Sequence, residues 1–332
     1  MRQASDLDWI GHPGARADYK PAGRREPGAA DSAPAGPTLL SVIIPVHNEA
    51  EHLRECLQSL CTQDYPAYEL IVVDNGSTDQ TAAICAQFPQ VCYIYFDRCK
   101  SSYAARNEGV RHAQGEVLVF FDADQTAMRN CLSLLLSQYV AGDAHHIYCG
   151  RLIDDPRVPA VVADVMSQES RGHPQEGKIR TAYVAVPREL YYELGGFKEQ
   201  ILSGGDFEFF QRGVKLAQVH VCREVGAYHY WAKNVKEVLA REERYAFGQC
   251  LRAKEDGKRA PSIMAGTVQL VWLGTAKLAA ALLVPLRFPR QQWRHCWEGM
   301  LLHWRAVARR LLGVVKFKLG AKRAGDLPKT KE

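Results

Sequence analysis

The chain has 332 residues, of which 47% are hydrophobic and 24% charged. That is the composition of a folded protein of one large or two small domains, and it excludes a wholly disordered chain, a collagen and a coiled coil. The net charge of +5 conceals a division: residues 251–332 carry 17 Lys and Arg against 5 Asp and Glu, whereas residues 1–250 carry 25 against 32, so a basic tail that favours an anionic surface follows a mildly acidic body.

Residues 1–37 hold Pro13, Pro21, Pro27, Pro34 and Pro37 among Gly and Ala, with no apolar run of the kind a secretory signal needs. They read as a disordered tail. Leu39–Val46 is then a continuous apolar run, the mark of a strand buried on both faces. A helical pattern through Leu53, Leu57 and Leu60 follows His47-Asn48-Glu49. A second buried strand is expected at Glu69–Val73, closed by Asp74-Asn75-Gly76-Ser77-Thr78-Asp79, with Thr78 or Asp79 capping a helix over Ala82–Gln87. A third strand at Val91–Tyr95, a helix over Tyr103–Ala113 and a fourth strand at Glu116–Phe121 complete the first half, ending at Asp122-Ala123-Asp124.

Strands and helices alternating at this spacing predict a doubly wound α/β fold with a mostly parallel sheet, whose ligands lie beyond the carboxyl ends of the strands. The polar clusters His47–Glu49, Asp74–Asp79 and Asp122–Asp124 all fall at such ends and are expected on one rim. Further along, strands are expected at His146–Leu152, Thr181–Pro187 and Val219–Cys222, a turn at Gly195-Gly196-Phe197, a helix opened by Gly204-Gly205-Asp206, and an amphipathic helix over Val235–Gln249. The window Ile263–Leu286 is the most apolar of the chain and lies between basic residues, in a region that also carries Trp272, Trp293, Trp297 and Trp304. Aromatic and basic residues together suit a membrane interface. Lys277 in mid-window argues against a full span, and a helical subdomain packed on the body is the other reading. These shifts divide the chain into a tail (1–37), an α/β domain (38–255) and a basic helical region (256–332) that associates with membrane.

The chemistry resides in a few residues. Asp122 and Asp124 leave an apolar strand two positions apart, a hard-oxygen set suited to Mg²⁺ or Mn²⁺ shared with a diphosphate. Asp74 and Asn75 can hydrogen-bond a base or ribose at the end of the second strand. Asp206 at a helix start is either a cap or a general base, with Glu208 as the other carboxylate in reach. His229, in Tyr228-His229-Tyr230-Trp231, is either a core histidine or a third ligand to a metal held by Asp124. Asp122-Ala123-Asp124-Gln125-Thr126 also fits the DxDxT signature of haloacid-dehalogenase-like phosphatases, with Asp122 as nucleophile, but that motif belongs on a first strand and three strand–helix units precede it here. The sequence carries no P-loop, no GxGxxG after the first strand, no GxSxG elbow and no nucleic-acid-binding signature. Its 10 cysteines form no CxxC pair, which points to reduced, mostly buried thiols and a cytosolic setting.

Taken in order, Ser41–Glu49, Val72–Asp79, Ala105-Arg106-Asn107-Glu108-Gly109 and Ala113-Gln114-Gly115-Glu116 through Phe120–Asp124 resemble family 2 glycosyltransferases of the GT-A fold. The resemblance is strong over residues 39–140 and fair from Gly195 to Gly213. It implies an inverting transfer of a sugar from a UDP- or GDP-linked donor to a saccharide or lipid-linked acceptor, in surface polysaccharide or glycolipid synthesis, and the basic, Trp-bearing C-terminal region places the expected site of action at the cytoplasmic membrane face. It also implies roles: Pro45, Val46, Asn48, Glu49, Asp74 and Asn75 line the nucleoside pocket, Arg106 approaches the donor, Asp122 lies near ribose or metal, Asp124 and His229 hold Mn²⁺ or Mg²⁺, and Asp206 is the base. A GT-A domain that binds without catalysing is the remaining alternative. Two positions depart from the family pattern: Asn75 stands where a second Asp is common, and Gly205 where the Glu of the base's Glu-Asp pair is usual.

Overall fold

The computed structural model describes residues 37–98, 101–137, 139, 144–158, 179–201, 203–230, 235–255, 301 and 304–316. The N-terminal tail and the Ile263–Leu286 window lie outside the described residues. Among the described residues no helix is long and apolar enough to cross a membrane.

The elements run β1 (Leu40–Val46), α1 (Ala50–Leu60), β2 (Tyr68–Asp74), α2 (Thr81–Cys85), β3 (Val91–Tyr95), α3 (Ser102–His112), β4 (Val117–Phe121), β5 (Gln125–Ala127), α4 (Cys131–Leu135), β6 (His146–Asp154), β7 (Tyr183–Pro187), α5 (Arg188–Glu193), α6 (Gly205–Gly213), β8 (Gln218–His229) and α7 (Val235–Glu255). A further helix, α8, spans 304–316. The strands form one sheet in the order β3-β2-β1-β4-β7-β6-β8-β5. The first four are parallel, as their apolar runs predict. β7 is antiparallel to both β4 and β6, and β5 to β8, while β6 and β8 are parallel.

Two apolar layers cover the sheet. Alternate residues of β1 sort into them: Val42 and Ile44 pack with Leu53, Leu57 and Leu60 of α1, whereas Ile43 packs with Ala104, Ala105 and Val110 of α3 and with Phe209 and Phe210 of α6. This is the period-2 sorting of a strand with helices on both faces. Among the described residues, Cys56, Cys85, Cys131, Cys149 and Cys250 are buried, as expected of most of the thiols.

The structure departs from the sequence reading in the second half. β8 runs to His229 rather than stopping at Cys222, so His229 is a strand residue. β5 and α4 are additional, too short to carry a periodic signal. In front of α2 the N-cap position is Gln80, yet Asp79 performs the capping chemistry, its Oδ1 accepting from Thr81 N at 3.0 Å. α8 packs on α7 through Val314, Ala246 and Cys250, so this part of the basic region lies against the body.

Candidate active site

The parallel registers determine where the rim lies. Val46 is level with Asp74, and Asp74 with Tyr95. Ile43 is level with Phe120, and β4 ends one residue later, at Phe121, where Asp122 leaves the sheet. The three polar clusters therefore leave the sheet side by side, as the alternation predicts.

The first two clusters are laced to each other. Asn75 N donates to Val46 O at 2.8 Å, and His47 Nδ1 to Asn75 O at 3.0 Å. Asn48 adopts φ 52°, a left-handed conformation that Asn tolerates better than most side chains. In that conformation its N donates to Ser77 Oγ at 2.9 Å and its Oδ1 accepts from Thr78 N at 2.8 Å. Asp74 is 1% exposed. Its Oδ1 accepts from Ser77 N at 2.8 Å and its Oδ2 from the Tyr93 hydroxyl at 2.7 Å. Val46 turns its side chain into the core, leaving its carbonyl at the rim. Asn48 and Asp74 thus build these two loops, with much of their hydrogen-bonding capacity spent on the loops themselves. Pro45 and Glu49 flank this lacing, Glu49 lying 3.9 Å from His52.

Asp122, Asp124 and His229 form the second feature. One ligand atom from each lies within 4.8 Å of the others. His229 Nε2 is 3.6 Å from Asp124 Oδ1 and 4.0 Å from Asp122 Oδ2. A two-stranded ladder brings the histidine there: Gln125 pairs with His229 and Thr126 with Tyr228, and Tyr230 N closes the ladder on Asp124 O at 3.0 Å. Burial, reinforced by the positive charges of Arg241, Arg180 and His52, holds His229 well below its usual protonation range. A neutral imidazole beside two carboxylates is the form a metal ligand requires. Oxygen, oxygen and nitrogen donors suit Mn²⁺ or Mg²⁺. Cys56 lies behind the group, its thiol donating to Asp122 O at 3.7 Å. Burial and then the charges of Asp124 and Asp122 push that thiol well up, so it stays protonated and outside the ligand set.

Arg106 completes this part of the rim. It is 4% exposed, and its Nη2 donates to Asp122 Oδ1 at 2.5 Å, a charge-assisted contact inside the protein. One turn earlier on α3, the Tyr103 hydroxyl donates to Asp206 Oδ1 at 3.2 Å. Asp206 Oδ1 also accepts from Phe207 N at 2.9 Å. A single helix therefore touches both the acid pair and the candidate base. The other carboxylate, Glu208, is buried and locked: Arg212 donates to both its oxygens, at 2.9 and 2.8 Å, and Lys198 Nζ lies 3.0 Å away. Of the two, Asp206 alone remains available to a ligand. The departure at Gly205 has a steric cause, because a Cβ there would lie 2.8 Å from the Tyr103 ring.

The structure thus brings Arg106, Asp122, Asp124 and His229 into one cluster, places Asp206 one helical turn of α3 away, and sets Pro45–Glu49, Asp74 and Asn75 on the adjoining strand ends. Sequence reasoning missed Tyr103, whose i, i+3 spacing from Arg106 was the available signal. It also missed Gln125, which is 2% exposed and accepts from Asp122 N at 3.3 Å.

The profile described as Glycosyl transferase family 2 matches residues 41–172. Glycosyltransferase AglE of Haloferax volcanii is 31% identical over 228 residues, which is 64% of this chain and 73% of AglE. The chain belongs to glycosyltransferase family 2. Glycosyltransferase GlyG of Streptococcus pneumoniae is 32% identical over 110 residues, and the match spans 36% of that relative's length. Among solved structures, the mannosyltransferase PcManGT of Pyrobaculum calidifontis, in complex with GDP-Man and Mn²⁺, superposes with a TM-score of 0.57 at 23% identity, covering 87% of this chain and 89% of that one. The shared architecture is the GT-A fold. Family membership displaces the phosphatase reading of Asp122, in keeping with its place after the fourth strand and its ion pair with Arg106.

Proposed function

We propose that residues 38–255 form an inverting, metal-dependent transferase domain that moves a sugar from a UDP- or GDP-linked donor to a saccharide or lipid-linked acceptor. The observation that carries this reading is the convergence of Asp122, Asp124 and His229 within 4.8 Å of one another, with the buried Arg106 on Asp122. Asp124 and His229, with Asp122 beside them, would hold a divalent cation, which would supply neutralising charge to the departing diphosphate. The chain's own residues do the rest. Pro45, Val46, Asn48, Glu49, Asp74 and Asn75 frame the nucleoside. Arg106 supplies fixed positive charge next to the diphosphate, where a preorganised guanidinium is worth most. Asp206, steadied through Oδ1 by Tyr103, takes the proton of the acceptor hydroxyl at its other oxygen. The acceptor oxygen bonds to the anomeric carbon as the bond from that carbon to the diphosphate oxygen breaks. One displacement inverts the anomeric centre.

The GDP-Man and Mn²⁺ complex of PcManGT supports the donor class and the cation. The location proposed is the cytoplasmic face of a membrane, in surface polysaccharide or glycolipid synthesis. The basic C-terminal region supports it, and so do Leu301 and Trp304, which stand exposed at 55% and 40%.

The deciding experiment screens UDP and GDP with and without Mn²⁺ by thermal shift, then measures turnover of the matching nucleotide sugars. A cation-dependent shift and transfer to an acceptor are expected in the wild type. Both should be lost in Asp124→Ala with the fold retained. A shift without any turnover, even to water, would favour the non-catalytic reading.

A further inference from the structure

α7 has two working faces. At about 100° per residue, positions seven apart share a face and positions two apart lie about 200° apart. Arg241 and Gly248 are on one side, with Tyr245 beside them. Glu243 and Cys250 are on the other. The first side meets the active site. Arg241 lies close enough to His229 for its charge to bear on that imidazole. Tyr245 bears likewise on Tyr103, the residue that holds Asp206. A Cβ on Gly248 would lie 2.5 Å from Ser203 O, so α7 rests directly on the turn that opens the Asp206 helix.

The second side meets α8. A Cβ on Gly313 would lie 2.3 Å from Glu243 O, so this contact is equally close. Glu243 is 0% exposed. Its Oε2 accepts from Arg309 Nη1 at 3.0 Å, and Lys316 Nζ forms an ion pair with Oε1 at 2.6 Å. Both cations come from α8, seven residues apart on one helix face. A carboxylate without solvent is tolerated only while its counter-charges are in place, and removing the partners of a buried charge is far more damaging than removing the whole group.

We propose that Arg309 and Lys316 are positioning residues for sugar transfer, acting through Glu243. By balancing that buried charge they seat α7, and α7 in turn seats His229 and the Asp206 turn. This assigns part of the basic C-terminal region to the catalytic body, and it rests on the active-site reading given above.

The test uses the full chain with Mn²⁺ as probe. Arg309→Met/Lys316→Met should weaken Mn²⁺ binding, read by electron paramagnetic resonance well below the melting temperature. It should also lower kcat by about ten- to a hundredfold, the scale of an ångström-sized misplacement. Adding Glu243→Gln should return both to within about threefold of wild type, because no buried charge then needs balancing. Wild-type Mn²⁺ affinity and kcat in the double variant would overturn the proposal. Should the double variant fail to fold, the charge-free triple variant decides: folded with Mn²⁺ binding restored supports it, and folded with Mn²⁺ binding lost overturns it. A wild-type chain that binds Mn²⁺ but transfers no sugar refutes the transferase reading instead, and the Mn²⁺ measurements still report on the clamp.

Discussion

Gln125 and His229 face each other across the short antiparallel ladder of β5 and β8. Cross-strand partners project to the same face of a sheet. The pairing holds His229 beside the segment that carries Asp122 and Asp124 and runs directly into β5. Gln125 adds a second tie by accepting from Asp122 N. The acid pair and its histidine are thus brought together by backbone register. The two carboxylates of this candidate ligand set repel each other, a repulsion that the single charge of Arg106 on Asp122 offsets in part and a bound cation would offset further.

That repulsion gives the first prediction. Asp124→Asn removes one charge from the cluster while keeping its shape. Cation-dependent thermal stabilisation should disappear, and kcat/KM should fall by about 10²–10³-fold, the scale of losing a preorganised electrostatic contact. The melting temperature without metal should not fall. Titration calorimetry with Mn²⁺ and differential scanning fluorimetry check the two halves, and Mn²⁺ affinity equal to wild type would remove Asp124 from the ligand set.

His229 makes the metal-free protein sensitive to acid. Burial and neighbouring positive charge depress its folded-state pKa well below the usual 6.5 of a histidine. The unfolded chain then binds the proton first, so stability rises with pH in this interval. The contribution is complete above about pH 6.5 and is lost as pH falls toward the folded value. In chelator-treated samples, denaturant melts of the wild type should lose stability below pH 6.5 more steeply than those of His229→Gln. Parallel curves would show that this histidine titrates normally.

The sequence revealed the first half of the fold almost residue by residue, because buried parallel strands are continuous apolar runs and their polar ends must lie on one rim. Val91–Tyr95 is the same in both accounts, and β1, β2 and β4 differ by a residue or two. The second half was less legible for physical reasons. β5 has three residues, too few for any period. β8 mixes Arg223, Glu224 and Gly226 into its run, which hides its continuation to His229. The carboxylates were visible as a local pattern, but the partner that aligns Asp206 sits 103 residues away on α3, a tertiary relationship that spacing cannot display. Asn48 shows the opposite case: its motif marked it for ligand binding, and the structure shows its amide oxygen on Thr78 N.

Gly205 and Tyr103 give a prediction about that alignment. Gly205→Ala places a Cβ against the Tyr103 ring. Overpacking of this kind costs about 1–3 kcal/mol, and it should also displace the hydroxyl from Asp206. Tyr103→Phe removes the hydroxyl without the clash. It should lower kcat by up to about tenfold, the worth of one hydrogen bond, with donor KM unchanged and the melting temperature little altered. Steady-state kinetics on both variants separate the steric effect from the polar one. Unchanged kcat in Tyr103→Phe would detach Tyr103 from the chemistry.

Asn48 separates loop building from ligand binding. Its side chain holds Thr78 N, and its backbone occupies a left-handed conformation at φ 52°. Asn48→Gly loses the amide but accepts that backbone without strain. Asn48→Ala loses the amide and meets the strain as well. The net worth of the hydrogen bond is about 0.5–1.5 kcal/mol, and the backbone term adds roughly 1 kcal/mol for Ala at a positive φ. Chemical denaturation should therefore rank wild type above Asn48→Gly and Asn48→Gly above Asn48→Ala. If the amide serves chiefly to lace the β1 and β2 loops, Asn48→Gly should keep nucleotide affinity within a few fold in calorimetry while losing stability. A large affinity loss with little loss of stability would instead place the amide on the nucleoside.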